Sequence, residues 1–179
     1  MTQAFLNVSH IIIGSKERLT RVKSYQIEEG VECLLCPFQI IEELPSLLDL
    51  KIAELDSKVI SIIPAGAFPK KDARAQLVHF SRSEYQFWGW YHFGNKFKGA
   101  AQSVGKLNTF FNKVPQLEQG IFFSKSLYFS VGGLGDSGVN PFAELARRFY
   151  LRLDPQKPLP SLTICLLYTS PSPRDLRKS

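Results

Sequence analysis

The chain has 179 residues, 44% of them hydrophobic and 21% charged, with a net charge of +6. That length and composition suit one globular domain with a buried core and exclude a disordered or low-complexity polypeptide. The charge does not mark a nucleic-acid binder: Arg174, Arg177 and Lys178 with Asp175 lie in the last six residues, the remainder carries +4, and only Lys70-Lys71 and Arg147-Arg148 form basic pairs.

Residues 1–6 have neither a basic start nor a long apolar stretch, so no signal peptide is expected. No apolar run approaches the roughly 18–20 residues that span a bilayer. The expected location is the cytoplasm, with peripheral contact at the inner face of the membrane left open. Residues 8–13 form a β-rich apolar run that stops at Gly14-Ser15, a strand followed by a turn. Leu19, Val22, Tyr25 and Gln26 predict an amphipathic helix over residues 16–29. After Gly30 a second strand is predicted over residues 31–36, closed by Pro37. It contains Cys33 and Cys36, but no further Cys or His pair completes a zinc site, so both read as structural thiols in or beside a buried strand.

A helix is predicted over residues 40–55, with Pro45 marking its start or a kink. Residues 59–63 are a continuous apolar strand ending at Pro64-Ala65-Gly66-Ala67. Strand, helix, strand, helix, strand at this spacing predicts an α/β fold with a mostly parallel sheet flanked by helices. The second half begins with an aromatic strand over residues 84–93 and a helix over residues 97–114, with Val104, Leu107, Phe110 and Phe111 on one face. A strand over residues 119–123 and a helix over 126–131, stopped by Gly132, follow. Asn140-Pro141 supplies the N-cap and first position of another helix, whose apolar face is Phe142, Leu145, Ala146, Phe149 and Leu153. Residues 161–164 start a last strand. The economical organisation is one domain over residues 1–164.

From Cys165 onward the chain reads like translated sequencing-adapter DNA. The expectation is an artefactual, disordered tail over residues 165–179, with the natural sequence differing after about Ile164.

The strongest functional signal is Glu118-Gln119 at the mouth of the apolar Ile121-Phe122-Phe123 strand, a polar rim on a buried strand, where α/β proteins contact ligands. Trp88 and Trp90, spaced i, i+2, share one sheet face, where they either stack on a sugar or pack in a core. His92 follows them. Together, His10-Ile11-Ile12-Ile13-Gly14-Ser15, Trp88-Gly89-Trp90-Tyr91-His92-Phe93, Leu117-Glu118-Gln119-Gly120-Ile121-Phe122 and Glu144-Leu145-Ala146-Arg147-Arg148 resemble segments of the family-2 glycosyltransferases. The resemblance implies a GT-A-like, nucleotide-diphospho-sugar transferase fold over about residues 8–164. Residues 8–13 match that fold's second strand, so its first strand is expected to be missing.

The resemblance also implies transfer of a sugar from a nucleotide-sugar donor to an unknown acceptor. Glu118 and Glu144 would be the catalytic carboxylates, and Gln119, Trp88, Trp90 and His92 would bind substrate. A carboxylate would take the acceptor hydroxyl proton, and a divalent metal (manganese or magnesium) would neutralise the leaving diphosphate. Against the family pattern, Gly14 stands at the nucleoside-side Asp, and Ala65 or Gly66 at the metal Asp. His92 replaces another Asp, and Pro141-Phe142 occupies the Glu-Asp pair unless a two-residue gap brings Glu144 there. Only Glu118 keeps its carboxylate in register. The sequence therefore carries two readings: a transferase, or a non-catalytic relative that binds a sugar, nucleotide or protein partner. It assigns no certain cofactor and no oligomeric state.

Overall fold

The computed structural model of the chain describes residues 7–22, 28–92, 115–135, 137 and 140–164. In chain order the elements are β1 (Val8–Gly14), α1 (Lys16–Leu19), β2 (Val31–Pro37), a 3-10 turn (Ile41–Glu43) and α2 (Leu44–Glu54). Next come β3 (Val59–Pro64), β4 (Ala67–Phe68), α3 (Lys71–Ser81), β5 (Trp88–Trp90) and β6 (Ile121–Ser124). Two helices, α4 (Lys125–Ser130) and α5 (Pro141–Tyr150), precede β7 (Thr163–Ile164).

Five strands form one mixed, mostly parallel sheet in the order β2-β1-β3-β6-β5. β1 pairs in parallel with both β2 and β3, so Ile11 stands between Leu34 and Ile62. β6 runs antiparallel to β3 and β5, and is the one reversed strand. The apolar, β-branched runs of β1 and β3 suit strands covered on both faces. One face buries Ile11, Ile13, Ile60 and Ile62 against Leu44, Leu48 and Ile52 of α2, Leu127 and Tyr128 of α4, and Phe142, Leu145 and Phe149 of α5. The other buries Val8, Ile12, Val59 and Ile63 against Leu19 of α1, Phe68 of β4, and Ala73 and Leu77 of α3.

The sheet's β5 edge is closed by the segment after α5. Gln156 and Leu159 donate backbone N–H groups to the carbonyls of Trp88 (2.7 Å) and Trp90 (3.0 Å), and His92 N–H donates to Leu159 O (2.9 Å). β7 pairs antiparallel with β4 as a separate two-stranded ribbon.

Local chemistry explains the boundaries. Pro45 lies at the start of α2, where its missing N–H has no helical partner to lose, so it opens the helix without kinking it. The Asn140 side chain accepts a hydrogen bond from Ala143 N–H (3.2 Å) and caps α5. The expected strand over residues 84–93 contracts to Trp88–Trp90. β6 spans only four residues, and Glu84, Tyr85 and Gln86 lie exposed beyond the reach of its ladder. Of the helix expected over residues 16–29, only α1 forms; residues 20–22 and 28–29 are turn or irregular, and residues 23–27 lie outside the described residues. The expected helix over residues 97–114 and the tail over residues 165–179 also lie outside them. Among the described residues no helix is long and apolar enough to cross a membrane.

Candidate functional site

The topology creates one place where a ligand edge is expected. The chain leaves β1 for β2 on one side, then crosses back over β1 to β3 on the other. Ligands bind in α/β sheets beyond the carboxyl ends of strands at such a reversal. Gly14-Ser15 follows β1, and Ala65-Gly66 follows β3. The turn of Leu117, Glu118 and Gln119 enters the reversed strand β6 at the same end, and Tyr91-His92 leaves β5 there, because Ile62, Ile121 and Trp90 lie in register.

At the reversal itself the two turns touch. A Cβ added to Gly14 would meet Ala65 Cβ at 2.8 Å, and Ala65 N–H donates to Ile13 O at 2.8 Å. Glycine is therefore required at 14 by the close approach. Ser15 is exposed and its Oγ accepts from Arg18 N–H (3.3 Å), capping α1. The donor set tests poorly for the metal that the resemblance implies. A hard divalent cation takes carboxylate oxygens, and these two turns offer Gly14, Ser15, Ala65 and Gly66. Among the described residues no three His, Cys, Asp or Glu side chains come together to hold a metal ion. The residues do not fit the group.

The predicted site residues separate into three kinds of environment. Glu118 is exposed on its turn, and His92 is exposed at the end of β5. Both are accessible from the carboxyl edge. Gln119 is 3% exposed, and its amide organises the protein itself. Its Oε1 accepts from Gln116 N–H (3.0 Å), and its Nε2 donates to Tyr91 O (3.2 Å). The turn then passes through Gly120 at φ +72°, where a Cβ would also strike Ile62 O at 2.7 Å.

Trp88 is fully buried and Trp90 is 9% exposed; both lie on the face that packs against α5. Trp88 Nε1 donates to Leu153 O (2.9 Å), and its ring contacts Phe149 and, edge-on, Tyr150. The shared face expected from their spacing is present, and it is packed with protein. Glu144 sits half-buried in the first turn of α5, with Oε1 3.4 Å from Arg148 Nε and Oε2 3.6 Å from Arg147 Nη1. Leu153, three residues past the end of α5, lies beside Trp88 at the start of β5.

The fold also assembles a group that sequence patterning misses. Cys33 of β2, His10 of β1 and Ser61 of β3 are direct cross-strand neighbours on the face beneath α3. Ser61 Oγ shares a hydrogen bond with the Tyr91 hydroxyl at 2.6 Å. Burial pushes the Tyr91 phenol up and the Cys33 thiol up to about 11, so both are neutral at physiological pH. Burial also raises the Cys36 thiol. Neither cysteine is set up as a nucleophilic thiolate, in line with the structural reading. The one sequence signal for this row was a histidine inside a β-branched strand.

No protein-family model matches the chain, and no curated protein matches it. Fold and site thus define an α/β protein with a mixed sheet and a carboxyl edge carrying Glu118, His92, Ser15 and the Ala65-Gly66 turn.

Proposed function

We propose that the chain is a glycosyltransferase-like domain that binds a nucleotide sugar, or its sugar or nucleotide part, at the carboxyl edge of the sheet without metal-assisted transfer. It is the non-catalytic relative among the two readings of the sequence. The observation that carries this is the contact between Gly14 and Ala65. Two of the positions at which the family resemblance asks for carboxylates, 14 and 65, are turns in close approach, leaving no room for an acidic side chain at 14. The fold reading that accompanies it is a GT-A-like sheet, with β1 as the family's second strand paired directly to β3.

The remaining carboxylates divide by role. Glu118 is accessible and accepts ligand hydroxyl or amide donors at the rim. Glu144 is paired with Arg147 and Arg148 on its own helix. Gln119, Trp88 and Trp90 act indirectly, by fixing the turn and the strand that present Glu118 and His92.

The test is titration of the purified protein with uridine and guanosine diphosphates and their sugar conjugates, with and without manganese. Saturable binding unaffected by manganese, weakened several-fold by Glu118→Gln and accompanied by no release of free nucleotide, is expected. Manganese-dependent binding or turnover would establish the transferase instead.

A further inference from the structure

The least satisfied group in the described structure is His10. It is fully buried within β1, and neither ring nitrogen has a hydrogen-bond partner among the described residues. Buried polar side chains are almost always paired, so an imidazole in this state marks a site held for some other reason. Its surroundings are supplied by every element packed on that part of the sheet. Cys33 of β2 and Ser61 of β3 flank it, with Ser61 already engaged by Tyr91. The Phe68 ring of β4 meets it edge-on at 5.3 Å between centroids. Arg74 of α3 stands near enough to repel a positive charge on it, and Glu28 near enough to attract one.

Arg74 also closes the cover. Its Nε and Nη2 donate to the Glu28 carboxylate at 2.7–3.0 Å, and its Nη1 donates to Pro69 O at 2.8 Å. The guanidinium lies 5.4 Å from the centre of the Phe68 ring. The carboxylate that would otherwise stabilise a charged imidazole is thereby occupied by a competing cation. Of the titratable neighbours, Cys33 and Tyr91 are neutral, so among the described residues protonation of His10 finds no free anion.

We propose that His10 is an acid-sensitive latch: its neutral ring lets β4 and α3 close over the sheet, and its protonation releases that cover while β1, β2 and β3 stay paired. The cover yields first because it holds His10 by an aromatic edge and a remote ion pair, whereas the strands are joined by continuous parallel ladders. Opening lets water reach both ring nitrogens and separates them from Arg74. Because β4 and α3 follow directly from the Ala65-Gly66 turn, acid would also loosen one wall of the carboxyl edge. This holds whatever ligand the edge takes.

Burial first, and then Arg74, pull the His10 pKa down from 6.5 to about 4, against a smaller upward pull from Glu28. The folded state therefore binds fewer protons than the unfolded state between those values. Stability is complete above about pH 6.5 and is lost as pH falls toward 4. From this group alone the folded-to-unfolded ratio drops roughly 20-fold between pH 7 and pH 5, above the range in which ordinary carboxylates titrate.

The experiment follows backbone amide signals by NMR, together with urea midpoints, from pH 7.5 to 5. In the native chain the signals of residues 67–81 should lose dispersion on acidification before those of residues 59–63. His10→Leu should abolish that selective loss. Arg74→Gln, which leaves the buried strand untouched, removes the repulsion and frees Glu28 to attract the charged ring; both favour protonation within the closed cover, so the selective loss should move to lower pH. A pH response identical in all three proteins, or simultaneous loss of α3 and β3, would overturn the latch.

Discussion

At the scale of single residues, the structure separates groups exposed at the carboxyl edge from groups that build that edge. Gly14 is the clearest builder. Gly14→Asp, which would place a carboxylate where the proposed family resemblance asks for one, puts a Cβ 2.8 Å from that of Ala65. It should cost about 1–3 kcal/mol, as overpacking does. Ala65→Gly in the same chain should recover part of that loss, and urea denaturation of the single and double variants reads both. Gln119 is a builder of a different sort. Gln119→Ala removes the acceptor for Gln116 N–H and the donor to Tyr91 O inside a buried turn. A loss of about 1–3 kcal/mol is expected, whereas Glu118→Gln on the exposed side of the same turn should stay within about 0.5 kcal/mol. Sequence alone places Glu118 and Gln119 at a strand mouth but does not distinguish them. Which of two adjacent polar side chains turns inward depends on the carbonyl that Tyr91 brings from another strand.

At the scale of elements, legibility follows the strength of the local pattern. The start and buried face of α5 were readable, because Asn140 and Pro141 open it and Phe142, Leu145, Ala146 and Phe149 fall on its buried side. Leu153, expected on that face, lies beyond the helix's last residue, Tyr150. Asn140→Ala should reduce stability by about 1 kcal/mol through loss of the cap on Ala143 N–H, measurable as a lowered thermal midpoint. α3 is the opposite case. Its buried positions are Ala73, Leu77 and Ser81, small or polar apart from one leucine, and Lys70, the residue before it, makes no side-chain cap. Nothing in residues 71–81 announces a helix until β4, Phe68 and the sheet supply the surface that it covers. The loop after α4 shows the same dependence on distant partners. Asp49 of α2 accepts from Leu134 N–H (2.9 Å), Gly135 N–H (3.0 Å) and the Tyr128 hydroxyl, a clamp spanning more than 80 residues that no local spacing reveals.

At the scale of the whole molecule, the alternation of strands and helices was enough to give an α/β sheet covered on both faces. It was not enough to give the order β2-β1-β3-β6-β5 or the reversal of β6. Order depends on which side each crossover takes, and side-chain patterning within a buried strand is the same for either direction. Only with that order known do Gly14-Ser15, Ala65-Gly66, Glu118 and His92 fall at one edge, and only then is the contact between positions 14 and 65 visible. The direct test is nucleoside diphosphate binding measured by calorimetry with manganese present and with a chelator. A binding isotherm unchanged by the metal is predicted for a ligand edge that lacks metal carboxylates. Binding that appears with manganese and vanishes with the chelator would contradict it.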